Sequence, residues 1–435
     1  YNAIRIVASL SCDGATCPTV NDLTVTWSSG FTVSGTAYEY DGVASTTSGT
    51  VAIAVNGVLQ SGKTGTISNG LWSIPNVTFY EDDIVTVFVQ GANADEAVAV
   101  TQYDGTPGIS GLSLVKRHLT IGSDDLPTIA NADIALYDFT NTEDVFFDVN
   151  GGNDLSLCAD TNCADASLRI LAGASYVPGT GGDIATHNFR NDGIFTPGSN
   201  TMRVSGSWDN NSTTTMTNAT VIFTATTSNF TADDADGVLD FHNVTFGEGS
   251  GSATWSIHDT LDIENALTVA YGTLARGTES VLVAGNLTTQ ANGFWTGIGT
   301  TTFDGINPST WTDTNATKQN IGNVVVNGTS KTMILGSNVV MNSMRVETDD
   351  VFDLSTTGYT ASVYRGWTNM GSFLPRTGTV AFIATSSSYV INNGPSPFYN
   401  LTFNGAGGAW SFATATLTVQ NNFTIATGTV TMPTG

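Results

Sequence analysis

Charged residues are scarce in this chain, and positive charge is the scarcest. Only 12% of the 435 residues are charged, and 13 Lys and Arg oppose 38 Asp and Glu, so the formal net charge is −25. A surface of this sign repels phosphate backbones and anionic membranes. No uninterrupted apolar run approaches the ~20 residues that cross a bilayer. The composition therefore argues against nucleic-acid binding and membrane insertion, and it suits a soluble surface or one that gathers divalent cations.

Helical periodicity is also missing. No window repeats apolar residues at 3.6-residue spacing over several turns. Short runs of Val, Ile, Phe or Leu alternate instead with Thr or Ser and end at Gly, Asn or Asp, as in residues 51–57 and 84–89. The 40% of hydrophobic residues can fill a core. The sequence therefore predicts an all-β protein with little helix.

Cysteine is rare, and its four copies form two tight pairs. Cys12 pairs with Cys17 and Cys158 with Cys163, each across four turn-forming residues. Zinc usually takes Cys-x2-Cys pairs with nearby histidines, which this spacing does not offer. We therefore predict local disulfides rather than free or metal-bound thiols. Because disulfides persist in oxidising compartments, this favours an extracellular or cell-surface location.

Groups that could catalyse a reaction are equally sparse. The four histidines show no partner arrangement with Ser, Cys or Asp, and His242 takes a place that Tyr399 holds in a repeated phrase described below. Catalysis needs convergent titratable groups. We predict that the protein is not an enzyme and has no catalytic residues, although polysaccharide-cleaving enzymes also use parallel β-helices, so the fold class alone does not decide this.

The second half of the chain contains the same phrase twice. Residues 241–246 read Phe-His-Asn-Val-Thr-Phe and precede a Gly/Ser run and Trp255, while residues 398–403 read Phe-Tyr-Asn-Leu-Thr-Phe and precede a Gly/Ala run and Trp410. A degenerate copy without the Trp begins at Asn323. The spacing predicts a unit of about 78 residues. Trp208 and Trp367 lead the same two repeats, and we interpret all four tryptophans as core anchors rather than a row that stacks on glycans.

A repeated unit that cannot bury its apolar face alone must stack on its neighbours. Strands recur about every 14 to 23 residues beyond residue 200, which predicts a β-solenoid, or parallel β-helix, with coils ~4.8 Å apart. Equivalent residues on successive coils are expected to stack, which accounts for asparagines at coil corners, namely Asn243, Asn323 and Asn400. A chain of separate sandwiches, one for each repeat, is the structural alternative.

The predicted organisation has six segments. They are a strand and disulfide loop (1–30), an immunoglobulin-like or transthyretin-like sandwich (31–105), entry or capping coils (106–200), and repeats at 201–278, 279–356 (degenerate) and 357–435. Tyr1, Ile4 and Ile6 mark a strand that could pair with another subunit. Because the chain begins with Tyr and stops where earlier copies enter their next coil, we expect a natural chain that extends beyond it.

One acidic turn is a candidate metal site. Asp233, Asp234, Asp236 and Asp240 surround Gly237 and could direct carboxylate oxygens at Ca²⁺. The turn lacks the terminal Glu of a calcium hand, and the corresponding segment 392–395 has no acids. A solvated turn is therefore the favoured interpretation. We predict no cofactor, with calcium as the one ion that the pattern allows.

Several segments together carry a family resemblance, namely 31–38, 51–57, 72–74, 83–87, 97–101 and 109–120, followed by the repeated phrases. They resemble very large, repetitive bacterial cell-surface proteins, as predicted in uncultivated ultrasmall bacteria. In those proteins an immunoglobulin-like sandwich and an entry segment precede β-helix repeats similar to filamentous haemagglutinin and autotransporters. The resemblance covers residues 31–435. It implies exported surface or filament proteins and supplies no catalytic residues.

The residues and the resemblance lead to one expected function. We expect a non-enzymatic extracellular structural protein that self-associates as a subunit of a surface filament or coat, or acts as a rod-like adhesin. The alternative is a carbohydrate-binding or polysaccharide-active β-helix protein with a glycan or host-surface ligand. Neither nucleic acid nor an inserted membrane segment is expected as a partner.

Overall fold

The computed structural model describes residues 30–40, 42–43, 48–91, 96–159, 165–234, 237–386, 388–414 and 416–432. Within these ranges the chain consists almost entirely of strands and turns, and the one helix, α1 (Asn131–Ile134), has four residues. The all-β prediction is confirmed. The predicted assembly strand at Tyr1, Ile4 and Ile6 lies outside the described residues.

Seven strands lie within residues 31–115. They are β1 (Phe31–Tyr38), β2 (Thr50–Val55), β3 (Val58–Thr66), β4 (Leu71–Val77), β5 (Ile84–Gln90), β6 (Val98–Gln102) and β7 (Ile109–Val115). One sheet has the order β4-β1-β7, and a second row has the order β3-β2-β5-β6. Val33 and Leu112 of the first sheet share a buried cluster with Ile53 and Val87 of the second.

The order of these strands is not that of an immunoglobulin domain. Immunoglobulin domains place their second and third strands in different sheets. Here β2 and β3 are antiparallel neighbours in one sheet, and β1 runs parallel to β7. The immunoglobulin-like part of the fold prediction is therefore not confirmed.

A β-solenoid of about 15 turns extends over about residues 98–431, which confirms the solenoid prediction. Its first half contains β8 (His118–Ile121), β9 (Thr128–Ile129), β10 (Asp148–Val149), β11 (Leu155–Ser156), β12 (Ser167–Ile170), β13 (Ser175–Tyr176), β14 (Ile184–Thr186), β15 (Phe189–Asn191), β16 (Ile194–Phe195), β17 (Thr201–Val204), β18 (Trp208–Asn210), β19 (Thr213–Thr214), β20 (Thr220–Phe223), β21 (Asn229–Asp234), β22 (Val238–Phe246), β23 (Thr254–Ile257) and β24 (Thr260–Ala275).

The second half continues to residue 431. It contains β25 (Val281–Val283), β26 (Leu287–Thr296), β27 (Thr300–Phe303), β28 (Ser309–Asp313), β29 (Asn323–Val326), β30 (Thr332–Leu335), β31 (Val339–Met341), β32 (Ser343–Val346), β33 (Val351–Asp353), β34 (Thr360–Val363), β35 (Trp367–Asn369), β36 (Ser372–Leu374), β37 (Thr379–Phe382), β38 (Ser388–Asn392), β39 (Asn400–Phe412) and β40 (Phe423–Thr431). At ~4.8 Å per coil, about 15 turns span about 70 Å.

Strands of successive coils pair in parallel and build three faces. Face 1 contains β8, β12, β15, β18, β21 and β23, and later β31, β34 and β37. Face 2 contains β25, β27, β29, β32, β35 and β38, and face 3 contains β14, β17, β20, β28, β30, β33 and β36. Long strands such as β22, β24 and β39 turn corners and contribute to more than one face.

Coil length varies along the solenoid. From β12 onward, paired residues of neighbouring coils lie 18 residues apart at Ile184 and Met202 and 25 residues apart at Asn229 and Thr254. Buried and partly exposed residues alternate along strands such as β20 and β29. The inward residues form one hydrophobic cluster that reaches Trp410.

The three copies of the repeated phrase do not stack on one another. Asn243 lies in the part of β22 that pairs with β20 on face 3. Asn323 lies on face 2, and Asn400 begins β39 beside β37 on face 1. The three copies therefore lie on different faces, because their spacing in the sequence is not a whole number of coils. The repeat length of about 78 residues stays a prediction.

Each corner asparagine accepts a hydrogen bond from the next coil, and Asn323 accepts it from Ser343 Oγ at 2.9 Å. The Asn265 amide donates to Asn243 Oδ1 at 2.7 Å, and the Asn421 amide donates to Asn400 Oδ1 at 2.9 Å. The repeated phrase thus repeats a local contact between coils.

The sheet β3-β2-β5-β6 covers the first coil. Strand β6 pairs in parallel with β8, and Ala52, Phe88 and Val100 belong to the solenoid's core cluster. The Phe88 ring stacks on Tyr137 with ring centroids 5.4 Å apart. This explains why the residues of β2 and β5 are buried on both faces. The sheet shields the first coil from solvent and from unwanted strand pairing.

At the junction of this sheet with the first coil lies a buried carboxyl group. Asp125 is 8% exposed. Burial, together with the neighbouring Asp104 and Asp124 carboxylates, raises the pKa of Asp125 to about 7. A carboxyl group in an unfolded chain has a pKa near 3.9. Between these values the folded state binds more protons than the unfolded state, so this group makes stability fall as pH rises from about 4 to about 7.

We predict that Asp125→Asn stabilises the protein by about 1–2 kcal/mol more at pH 8 than at pH 4, because Asn never acquires the buried charge. Thermal unfolding of both proteins at the two pH values measures the difference. Asp349→Asn is the control, since Asp349 is exposed. An equal effect of Asp125→Asn at both pH values would contradict the prediction.

Candidate functional site

A groove crosses the corner between faces 1 and 2 in the second half of the solenoid. Its volume is about 540 Å³. We call it the corner groove and define it by six lining residues, which are Lys318, Asn320, Asn342, Tyr364, Arg365 and Tyr389. They come from four successive coils, since residue 320 pairs with 340, residue 340 with 362, and residue 363 with 382.

The strand ends place these residues at one corner. Asn342 follows β31, while Tyr364 and Arg365 follow β34, so each lies where the chain leaves face 1. The Tyr364 N–H donates to Met341 O at 3.0 Å, and the Arg365 N–H donates to Asn342 O at 2.6 Å. These hydrogen bonds hold the turn at residues 364–365 directly against the turn at residues 341–342 of the preceding coil.

Two asparagines link the first coils of the corner groove. The Asn320 amide donates to Asn342 Oδ1 at 2.8 Å, and Asn320 Oδ1 accepts the Gly322 N–H at 2.9 Å. Among the described residues, the Asn342 amide nitrogen has no hydrogen-bond acceptor. The corner groove therefore combines a fixed amide ladder with a donor available to a ligand.

The corner groove also holds two cations without carboxylate partners. Seven lysines and arginines form ion pairs elsewhere in the described residues, namely Lys116, Arg117, Arg169, Arg190, Arg203, Arg345 and Arg376. Lys318 instead donates to the backbone oxygens of Asp313 at 2.8 Å and Asn315 at 2.6 Å. Arg365 is exposed, and no described carboxylate pairs with it. In a chain of net charge −25, this local excess of positive charge is unusual.

A third unpaired cation is structural rather than accessible. Arg276 is 1% exposed and donates to Thr301 Oγ1 at 2.7 Å, to Gly299 O at 2.9 Å and to Ile321 O. Its guanidinium carbon lies 5.5 Å from the centre of the Trp295 ring. Burial lowers the pKa of Arg276 to about 10, so it stays charged at neutral pH. Sequence reasoning missed this residue because an Arg beside a turn is usually exposed.

The predicted calcium site stays a prediction. Asp236 lies outside the described residues, and Asp234 interacts with the coils on either side. Asn210 donates its amide to Asp234 Oδ2 at 2.6 Å, and the Asp234 N–H donates to Asp259 Oδ2 at 2.7 Å. In the described part of the chain, no three His, Cys, Asp or Glu side chains are grouped so that they could hold a metal ion.

The four predicted core anchors lie inside the solenoid. Trp208, Trp255, Trp367 and Trp410 are at most 2% exposed, so none presents its ring on the surface. Trp311 is buried equally deeply and was not singled out in the sequence.

Sequence-predicted cysteine and histidine positions add no site. Cys158 is exposed, whereas Cys12, Cys17 and Cys163 lie outside the described residues, so the disulfides stay predictions. His242 Nδ1 lies 3.4 Å from Glu264 Oε2 at the surface of the solenoid. The corner groove contains neither of these residue types among the residues that line it.

The described residues contain no helix with the length and apolarity needed to cross a membrane. Comparisons of the chain with protein-family models, curated proteins and solved structures found no match.

Proposed function

We propose that this protein is a non-enzymatic extracellular structural protein, a rod that acts as a subunit of a surface filament or coat or as an adhesin. One observation carries the proposal, namely a solenoid of about 15 turns around one continuous hydrophobic cluster. Each coil contacts its immediate neighbours, so the fold gains length rather than an enclosed active site.

Self-association is part of this proposal. Phe423 and Ile425 of β40 pair with the buried Leu401 and Phe403, yet they are 40% and 49% exposed. Among the described strands, β40 pairs only with β39, so its other edge is open. A further strand at this edge, from a longer chain or from a second copy, would supply backbone hydrogen bonds and cover both side chains.

We predict an elongated particle that grows with concentration. Small-angle X-ray scattering of a dilute sample should give a rod whose solenoid is about 70 Å long, and sedimentation and electron microscopy at higher concentration should show larger assemblies. Phe423→Lys with Ile425→Lys should reduce assembly, because two charges replace apolar side chains at the open edge. Val390→Lys is the control, since Val390 is already 56% exposed and points outward.

Two results would overturn separate parts of the proposal. Scattering from a compact sphere would overturn the rod. A monodisperse monomer at high concentration, without fibres or sheets in micrographs, would overturn self-association.

A further inference from the structure

We propose that the corner groove binds an acidic oligosaccharide, with Lys318 and Arg365 pairing with its carboxylate or sulfate groups and Tyr364 and Tyr389 contacting its sugar rings. The site adds ligand recognition to the structural role proposed above, and it does not depend on self-association.

The charges of the corner groove favour an anion. Lys318 and Arg365 line one groove, and no described carboxylate forms an ion pair with either of them. An anionic ligand would supply the carboxylate or sulfate partners that both cations lack. An arginine guanidinium binds a carboxylate or sulfate through two parallel hydrogen bonds, while a lysine acts as a point charge. Lys318 is held ready by its two backbone acceptors, which reduces the entropy lost on binding.

The spacing of the two cations favours an oligomer. Lys318 precedes residue 320, which pairs with 340, and 340 pairs with 362 beside Arg365, so the cations lie two coils apart. At ~4.8 Å per coil this separates them by about 10 Å along the solenoid axis. A single sugar ring is too short to reach both. The ligand therefore extends along the corner and places an acidic group at each cation.

The remaining lining suits sugar rings. Tyr364 is 38% exposed beside Arg365, and Tyr389 lies half-buried on the following coil. Tyrosine combines an apolar ring face with a polar tip, which matches the apolar and hydroxyl faces of a sugar. The Asn342 amide nitrogen can donate to a sugar hydroxyl. The side chain is oriented by its oxygen, which accepts a hydrogen bond from Asn320.

Nucleic acid fits the corner groove less well. It carries one charge on every nucleotide, and binding it generally needs several phosphate contacts. Only two cations line the corner groove, and the rest of the chain is strongly acidic. A sparsely charged polymer avoids this repulsion.

Binding can be measured by isothermal titration calorimetry with three hexasaccharides. The probes are a galacturonate oligomer, a heparin-derived oligomer and neutral cellohexaose, with a single-stranded DNA of similar length as a fourth. We expect binding of one or both acidic oligosaccharides, weaker binding at higher salt, and no binding of cellohexaose or DNA. Carboxylate and sulfate recognition are distinguished by the first two probes.

Variants locate the site. Lys318→Gln and Arg365→Gln should each weaken binding about 10-fold or more, because each removes a hydrogen bond to a charged group. Tyr364→Ala should weaken binding but leave the dependence of the affinity on salt unchanged, because it removes no charge. Lys63→Gln on β3 is the matched control and should bind as the native protein does. Circular dichroism and unfolding temperature should be the same for all four variants.

Three outcomes would overturn the proposal. They are no binding of either acidic probe at low salt, equal binding of acidic and neutral probes, and unchanged affinity in both charge variants. If the charge variants lost self-association instead of oligosaccharide binding, the corner groove would be a contact between copies of this chain and the proposal would also fail.

Discussion

Replacing Gly285 with alanine should separate two coils of the solenoid. Gly285 lies at the turn between β25 and β26, and a Cβ atom there would be 1.8 Å from Asn265 O of the preceding coil. This is far inside van der Waals contact, and the obstacle is backbone rather than a flexible side chain. The backbone must shift and break local parallel hydrogen bonds, so we expect a loss of roughly 3 kcal/mol or more in the free energy of unfolding.

Gly151→Ala is the matched control for this prediction. Gly151 is exposed in a turn, and a Cβ atom there would meet no other atom within 4 Å. Removing a glycine at such a position changes stability by less than about 1 kcal/mol and can stabilise, because the unfolded chain loses freedom. Denaturant unfolding compares the two variants, and hydrogen exchange should show the loss of protection in β24 to β26. Equal stability of Gly285→Ala and Gly151→Ala would contradict the close approach of these coils.

The strand pattern of the solenoid could be predicted from the sequence because it is local. In β29, Val324 and Val326 point inward while Asn323 and Val325 are partly exposed, so burial alternates as the pleat requires. The long apolar runs of β2 and β5 also indicate strands that are buried on both faces. A strand buried on both faces has no polar alternation, and these two strands lie between two hydrophobic clusters.

The sequence does not predict which residues of successive coils lie at the same corner. The corner groove depends on that alignment. Lys318 and Arg365 are far apart in the sequence and line one groove only because of the lengths of the two intervening coils. Those lengths depend on turns, whose residues vary from coil to coil. For the same reason the copies that begin around Asn243 and Asn400 could be recognised as similar but not assigned to different faces.

Trp367 is among the largest fully buried side chains of the described residues, so its loss should cost much stability. Its ring centroid lies 5.0 Å from that of Phe373 and 5.9 Å from that of Phe398, and it is fully buried. Replacement by alanine removes these contacts and leaves a cavity between coils. Such substitutions in well-packed cores cost about 3–5 kcal/mol. Unfolding followed by circular dichroism should show this loss for Trp367→Ala.

A comparison of two phenylalanine variants separates packing from hydrogen bonding. Trp367 Nε1 donates to Asn393 Oδ1 at 2.7 Å, and Asn393 is 5% exposed. Trp410 is buried to a similar extent, but its Nε1 has no partner among the described residues. Both variants lose similar volume, but only Trp367→Phe leaves a buried acceptor unpaired, at a cost of about 1–3 kcal/mol. Trp367→Phe should therefore destabilise the protein more than Trp410→Phe by about that amount, and equal losses would show that this hydrogen bond contributes nothing to stability.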